Sequence, residues 1–183
     1  MPYALQIQWE LKLSETKDRK RHSVLIGVGS NIEPVKNIRH AMALLAQKVE
    51  IQSCSQVWQN PAVGSDGPDY LNAAVFVHSQ LGLEEMKSAL LRPLEASLDR
   101  QRTADKNADR TIDLDILIYD GQSVDEELWT QPHVSIPSAE LMPDFRHPKT
   151  GETLSEAAAR LRPNNDFFLR SDLDLCQLYQ KSV

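Results

Sequence analysis

Apolar and polar residues alternate along most of this chain, with a period that changes several times. Short apolar runs or alternations of period two are typical of strands, whereas apolar residues three or four positions apart are typical of helices. Ile38, Met42 and Leu45 show the helical spacing. Pro93 should kink a second helix, because proline removes a backbone donor. We predict strands over 24–28, 51–58, 71–77 and 110–118, and helices over 37–49 and 83–98.

The order of these elements is strand, helix, strand, strand, helix, strand. That order predicts an α+β fold with a ferredoxin-like βαββαβ core, followed by additional C-terminal elements.

Both ends of the chain differ from this regular part. Residues 1–22 include a charge run over 17–22, typical of a solvated linker, although the alternating apolar residues before it could add an edge strand. After Gly121 the periodicity is lost until an alanine-rich helix predicted over 154–161. We therefore divide the chain into an N-terminal extension (1–22), one domain (23–161) and a C-terminal tail (162–183), and we expect the tail to pack on the domain.

Composition limits the classes of partner. The net charge of −6 argues against bulk binding to nucleic acid or an anionic membrane, although it does not exclude a local basic pocket. Cys54 and Cys176 lack metal-ligand spacing, so we expect two free thiols in a reducing cytoplasm. No stretch approaches the roughly 18 apolar residues of a membrane span. We predict a cytoplasmic protein that acts on small molecules, and its oligomeric state is left open.

Two carboxylates interrupt one face of the last predicted strand. Asp113 and Asp115 lie two residues apart in an apolar, β-branched run, so both point the same way, roughly 7 Å apart along the strand. Burying two anions side by side is costly unless cations compensate. The stretch before the strand carries four cationic side chains, at Arg100, Arg102, Lys106 and Arg110.

A carboxylate pair suits a hard metal such as Mg²⁺, and arginine suits phosphate because its planar fork binds two oxygens at once. Together they predict nucleotide-dependent phosphoryl chemistry. The alternative from the residues alone is a strand whose acids pair with Arg110 and Lys106, beside a solvated loop.

Four blocks of sequence accompany this pattern. They are Gly27–Asn31, Asn60–Gly64 followed by Pro68–Ala74, Arg100–Ile116, and Pro132–His133. Together they resemble the 6-hydroxymethyl-7,8-dihydropterin pyrophosphokinase family, over about residues 23–161. The resemblance implies a magnesium-dependent transfer of a pyrophosphoryl group from ATP to a pterin alcohol, with release of AMP, in folate biosynthesis.

Position by position, the resemblance implies a role for each motif residue. Asp113 and Asp115 would hold two magnesium ions against the ATP phosphates. The residues implied to bind the pterin are Asn60, Pro61, Val63, Tyr70 and Asn72. Those implied to contact ATP are Glu95, Arg100, Arg102, Lys106, Arg110, Thr111, Ile116 and His133. Catalysis would fall to Arg100, Arg102, Arg110, Asp113 and Asp115.

Taken without the flanking motifs, three of these residues have structural explanations. Asn72 could cap its own backbone, Tyr70 could be a core aromatic, and His133 could be structural.

The sequence departs from the family pattern in two places. Lys106 stands where the family often has arginine, and Asn107 where it often has tryptophan. We interpret the segment after His133 as shortened, which would remove an aromatic that stacks opposite the pterin and a triphosphate-binding arginine. Possible replacements are Trp129, Phe145 and Arg146. The alternative functions are a divergent pterin-binding paralogue with altered substrate or no turnover, and a non-enzymatic nucleotide-sensing module.

Overall fold

The computed structural model describes residues 20–62, 67–101, 108–162 and 166–180, with side chains described as far as residue 177. Its strands are β1 (His22–Ser30), β2 (Glu50–Cys54), β3 (Trp58–Asn60), β4 (Tyr70–Ser79), β5 (Asp113–Tyr119), β6 (Gln122–Ser123) and β7 (Phe168–Leu169). Its helices are α1 (Pro34–Ala46), α2 (Leu83–Glu85), α3 (Arg92–Ser97), α4 (Glu127–Thr130), α5 (Pro132–Leu141), α6 (Leu154–Leu161) and α7 (Leu175–Gln180). A π-helical segment, Met86–Leu91, joins α2 to α3.

The strands form one antiparallel sheet in the order β6-β5-β1-β4-β3-β7, and β2 also pairs with β4. Because β1 lies between β4 and β5, this is the sheet order of the predicted ferredoxin-like α+β fold, which is confirmed. None of the helices within the described ranges is long and apolar enough to span a bilayer.

Two hydrophobic clusters form on opposite faces of the sheet, because side chains alternate along each strand. Ile26 of β1 and Ile116 of β5 are buried with Met42 and Leu90, under α1 and the π-helical segment. On the other face, Leu117 of β5 packs in a second cluster with residues of α4 and α6. The helix α5 lies on this second face, in contact with β4 and α6.

The strand predicted over 51–58 is wrong in its continuity, since it divides into β2 and β3. Between them Ser55 donates its backbone N–H to the carbonyl of Ala74 at 2.9 Å, and its Oγ accepts the N–H of Ala74 at 2.8 Å. A side-chain hydroxyl therefore replaces a backbone partner and interrupts the ladder.

The helix predicted over 83–98 is present, but Pro93 does not simply kink it. The N–H of Arg92 bonds to the carbonyl of Lys87, five residues earlier, in place of the usual four. A proline ring collides with the carbonyl four residues before it, and one extra residue in the turn accommodates it.

Two helices that the sequence did not predict, α4 and α5, lie in the stretch after Gly121 where the periodicity is lost. The helix α5 contacts β4, α4 and α6 and therefore has no wide polar face. Without such a face, its sequence shows no alternation of apolar and polar residues at the helical period. Four consecutive residues within it are buried: Ser135, Ile136, Pro137 and Ser138.

The expectation of two free thiols is also wrong. Cys54 of β2 and Cys176 of α7 form a disulfide bond, with their Cα atoms 5.8 Å apart. The pairing arises because α7 packs on α1 and β2, with Leu175 only 1% exposed, and β7 pairs with β3. Residues 122 positions apart meet only through tertiary packing.

Candidate active site

A cleft of about 540 Å³ opens on the α5 face of the sheet, where β1, β4 and β5 lie side by side. Eight residues predicted for the site line it together: Asn60, Tyr70, Asn72, Arg100, Arg110, Asp113, Asp115 and His133. The fold therefore brings both halves of the predicted site, the acidic pair and the amide pair, into one cavity.

Two glycines of β1 form the floor of this cleft. Gly29 pairs with Asn72 of β4 on one side and with Asp113 of β5 on the other. A Cβ atom at Gly29 would lie 3.0 Å from Oδ1 of Asn72, and one at Gly27 would lie 3.3 Å from Cδ1 of Leu117. Glycine at these positions keeps the space between amide and carboxylate open.

Two arginines hold the carboxylate of Asp113. Arg100 pairs with one of its oxygens and Arg110 with the other. Arg100 also donates to the backbone carbonyl of Ile112 at 2.7 Å. The two arginines predicted to bind phosphate are therefore in direct contact with Asp113, which is predicted to bind the metal.

Asp115 has a different electrostatic environment. Burial, and next the charge of Asp113, raise the pKa of Asp115 to about 7, with smaller contributions from Asp125 and Glu95 and an opposing one from Arg100. Asp115 is nevertheless exposed to solvent in the cleft, so the raised pKa reflects the protein atoms and like charges close to its carboxylate rather than enclosure of the residue. A positive charge placed here would favour the ionised form.

The donor set fits a magnesium ion. Asp113 and Asp115 place carboxylate oxygens on one face of β5, and a metal would share the Asp113 oxygens with Arg100 and Arg110 or replace those pairs. Mg²⁺ in enzymes commonly takes one or two carboxylates and completes its shell with substrate phosphates and water. Across the described ranges, no third histidine, cysteine or acid joins them in a protein-only metal cluster.

Glu95 of α3 lies behind the acidic pair. It is 2% exposed, and Oε1 accepts the backbone N–H of Leu114 at 3.0 Å while lying 3.5 Å from Nη1 of Arg100. The carboxylate therefore faces the backbone of β5 and a cleft arginine rather than the cleft itself.

Three buried polar atoms around the site lack a hydrogen-bond partner within the described structure: Nε of Arg100, Oγ1 of Thr111 and Nδ1 of His133. Burial, and next the charge of Arg110, lower the pKa of His133, so its ring is neutral near pH 7. A buried polar group left unpaired costs about 1–3 kcal/mol. Arg100 and His133 also line the cleft, so two of these unpaired atoms belong to side chains of the site itself.

The acceptor side of the cleft is built from two amides and a phenol. Asn72 donates Nδ2–H to Oδ1 of Asn60 at 2.7 Å, and Asn60 donates to the carbonyl of Pro61 at 2.8 Å. Tyr70 donates its hydroxyl to the carbonyl of Ala108 at 3.4 Å, and burial raises its pKa. An amide with donor and acceptor capacity beside an aromatic ring can bind a flat heterocycle.

Other predicted residues do not line the cleft. Pro61 is exposed and the buried hydroxyl of Thr111 does not line the cleft, whereas Ile116 packs in the core on the opposite face. Val63, Arg102, Lys106 and Asn107 fall outside the described residues.

The three candidates to replace a missing aromatic or arginine are elsewhere too. Trp129 stacks on Phe145 with ring centroids 5.9 Å apart, and Arg146 donates to the carbonyl of Gly151. None of these three side chains lines the cleft.

Sequence reasoning missed one wall of the site. Asp125, Glu127 and Gln131 line the cleft from the stretch that joins β6 to α5. They carry no motif or period in the sequence, and only the fold brings them to the cleft, where the charge of Asp125 acts on Asp115.

Comparison with known proteins shows the family of the chain. A family model described as 7,8-dihydro-6-hydroxymethylpterin-pyrophosphokinase (HPPK) matches residues 25–143, which include the whole cleft. The chain belongs to this family. Its activity is pyrophosphoryl transfer to hydroxymethyldihydropterin, in folate biosynthesis, with ATP as co-substrate.

Individual relatives also support the family assignment. The chain is 33% identical over 144 residues to a 2-amino-4-hydroxy-6-hydroxymethyldihydropteridine pyrophosphokinase of Synechocystis, covering 73% of each chain. It is 32% identical to the enzyme of the same name from Methylorubrum extorquens, over 76% of this chain and 93% of the relative. A solved HPPK-DHPS structure from Plasmodium falciparum shares the fold with a TM-score of 0.63 at 10% identity. That match covers 78% of this chain, which spans about half (46%) of the solved chain.

Proposed function

We propose that Asp113 and Asp115 hold magnesium beside an ATP bound by Arg100 and Arg110, while the pterin lies between Tyr70 and the Asn60–Asn72 pair. One observation carries this assignment: Gly29 alone separates Asn72 from Asp113 across three adjacent strands. The acceptor's binding amide and the metal-binding acid are thus neighbours across an open floor.

The reaction needs charge neutralisation and positioning more than covalent help from the protein. The pterin hydroxymethyl oxygen forms a bond to the β-phosphorus, the bond from that phosphorus to the oxygen shared with the α-phosphate breaks, and AMP leaves. The hydroxyl proton passes to solvent, because none of the cleft side chains within the described residues is placed as an obvious base. Bound magnesium supplies Lewis-acid stabilisation of phosphate charge.

The chain's own residues act through charge and orientation. Arg100 and Arg110 reach the cleft while paired with Asp113, so their cationic groups are fixed before a phosphate arrives. The neutral ring of His133 offers an unpaired buried nitrogen as a hydrogen-bonding group for the donor. Two ions, rather than one, match the two available carboxylates and the charge of ATP.

We also propose the binding partners and the cellular location of the protein. ATP and the pterin are the expected partners, with no nucleic acid or membrane required. A cytoplasmic location is part of the proposal, and the Cys54–Cys176 bond is the observation that opposes it.

The test compares Asp115→Asn with Asp120→Asn, a matched change in the turn after β5 that lies outside the cleft. Each protein is incubated with ATP, Mg²⁺ and 6-hydroxymethyl-7,8-dihydropterin, and AMP and the diphosphorylated pterin are separated by chromatography. We expect Asp115→Asn to lose at least about 100-fold in rate and the parent to lose activity with a chelator. Equal rates for both variants would refute the metal assignment, and pterin binding without AMP in the parent would favour a paralogue without turnover.

A further inference from the structure

Asn31 is buried where β1 turns toward α1, with 2% of its surface exposed. It does not line the cleft, yet its side-chain amide makes three hydrogen bonds. Nδ2 donates to Oδ1 of Asp109 at 2.6 Å and to the carbonyl of Pro68 at 3.3 Å, and Oδ1 accepts the N–H of Arg110 at 2.7 Å. One amide therefore joins three separate segments of the chain.

Backbone groups of the same turn also form hydrogen bonds with Arg110. The N–H groups of Asn31 and Ile32 both donate to the carbonyl of Arg110, at 3.1 and 3.2 Å. Ser30 adds a bond from its hydroxyl to the carbonyl of Thr111 at 2.6 Å. Both polar groups of the Arg110 main chain are thus bound by the turn, while the guanidinium reaches into the cleft toward Asp113.

The third segment leads to the acceptor side. Pro68 lies two residues before Tyr70 and four before Asn72, both of which line the cleft. Tyr70 in turn donates its hydroxyl to Ala108, next to Asp109. The stretch that carries the donor-side arginine and the stretch that opens β4 are therefore tied to each other through Asn31.

We propose that Asn31 is a positioning residue that sets the placement of Arg110 and Tyr70 together. The proposal rests on the assignment of Arg110 to the ATP side and Tyr70 to the pterin side. It requires an amide, because Asp109 needs a donor whereas the N–H of Arg110 needs an acceptor. An aspartate at this position would place two carboxylates 2.6 Å apart and leave Pro68 without its donor.

Six variants test this role: Asn31→Ala, Asn31→Asp, Asp109→Asn, Asn31→Asp combined with Asp109→Asn, Arg110→Ala, and Asn31→Ala combined with Arg110→Ala. The control is Asn37→Ala, because Asn37 is also buried beside the turn and donates one bond, to Ile32 at 2.6 Å, without contacting the 108–110 stretch. Circular dichroism and urea denaturation establish that each protein is folded at the assay temperature. Rates of AMP formation then give kcat and the KM for each substrate.

We expect Asn31→Ala and Asn31→Asp to lower kcat about 100-fold, the cost of a displacement near 1 Å at a reacting group. The combined variant reverses the donor and the acceptor, keeps an acceptor for Arg110, and should recover to within about 10-fold of the parent, since only the bond to Pro68 is lost. Asn31→Ala placed on Arg110→Ala should add little, because both changes remove the same placement.

Equal losses of kcat in Asn31→Ala and Asn37→Ala would overturn the positioning role while leaving the proposed function intact. Additive losses of kcat when Asn31→Ala and Arg110→Ala are combined would do the same. A parent protein that forms no AMP would refute the proposed function instead, and this inference with it. Failure of the combined variant to exceed Asn31→Asp alone would also overturn the role. If Asn31→Ala does not fold, the comparison between Asn31→Asp and the combined variant still decides whether Asn31 has the positioning role.

Discussion

Replacing Glu95 separates two views of this buried acid. The family resemblance implies that Glu95 contacts ATP, whereas the structure turns its carboxylate to the N–H of Leu114 and to Arg100. In the first view Glu95→Gln raises the KM for ATP and leaves folding unchanged. In the second it lowers the free energy of unfolding.

The magnitude follows from the contacts. A hydrogen bond from a backbone N–H to a charged acceptor contributes about 1.5–3 kcal/mol, and Glu95→Ala removes it entirely. Arg100, whose side chain is 11% exposed, keeps Asp113 as a partner, so the full cost of an unpaired buried charge is not incurred. We expect a loss of about 3 kcal/mol for Glu95→Ala. Glu95→Gln, which keeps an acceptor for Leu114, should lose about 1–2 kcal/mol.

The assay is urea denaturation followed by tryptophan fluorescence, with ATP kinetics on the same preparations. The control is Glu84→Gln on the same helical stretch, where the side chain is 84% exposed and pairs only loosely with Lys87, and there we expect a change below about 0.5 kcal/mol. A Glu95→Gln protein as stable as the control, but with a raised KM for ATP, would refute the structural view.

Two further outcomes are expected. Reduction by a dithiol should lower the urea midpoint of the parent and leave that of Cys54→Ser unchanged, since closing a loop of 122 residues contributes about 5 kcal/mol in the chain-entropy model. A parent insensitive to reduction would contradict the bond. Hydrogen bonds from the backbone N–H and the hydroxyl of Thr153 lower the pKa of Glu156 below its ordinary value of 4.5. The ionised Glu156 therefore stabilises the folded protein above pH 4.5, and this contribution is lost as the pH falls through the lowered pKa. The difference in stability between parent and Glu156→Gln should therefore shrink on acidification below 4.5, measured by denaturation at several pH values, and a constant difference would oppose it.

Most of the core fold was predictable because its signals are local. The apolar runs of β1 and β5, and the helical spacing of Ile38, Met42 and Leu45, each lie within a short stretch of sequence. The helix α5 gave no such signal, because neighbours on several sides bury it and remove the contrast between faces.

The candidate site divides in the same way. Asp113 and Asp115 were predictable as a pair, because strand geometry alone places alternate residues on one face. Asp125 and Glu127 were not, because their place in the cleft depends on how the chain after β6 returns to the sheet.

By itself the sequence determined the order of elements, the carboxylate pair, the basic stretch and the family motifs, because each is written within a short segment. The tertiary structure alone decided that Gly29 would lie between Asn72 and Asp113, that Asn31 would bind Arg110, and that Cys54 would meet Cys176. These contacts join residues far apart in the chain, and their distances are set by strand order and packing rather than by local spacing.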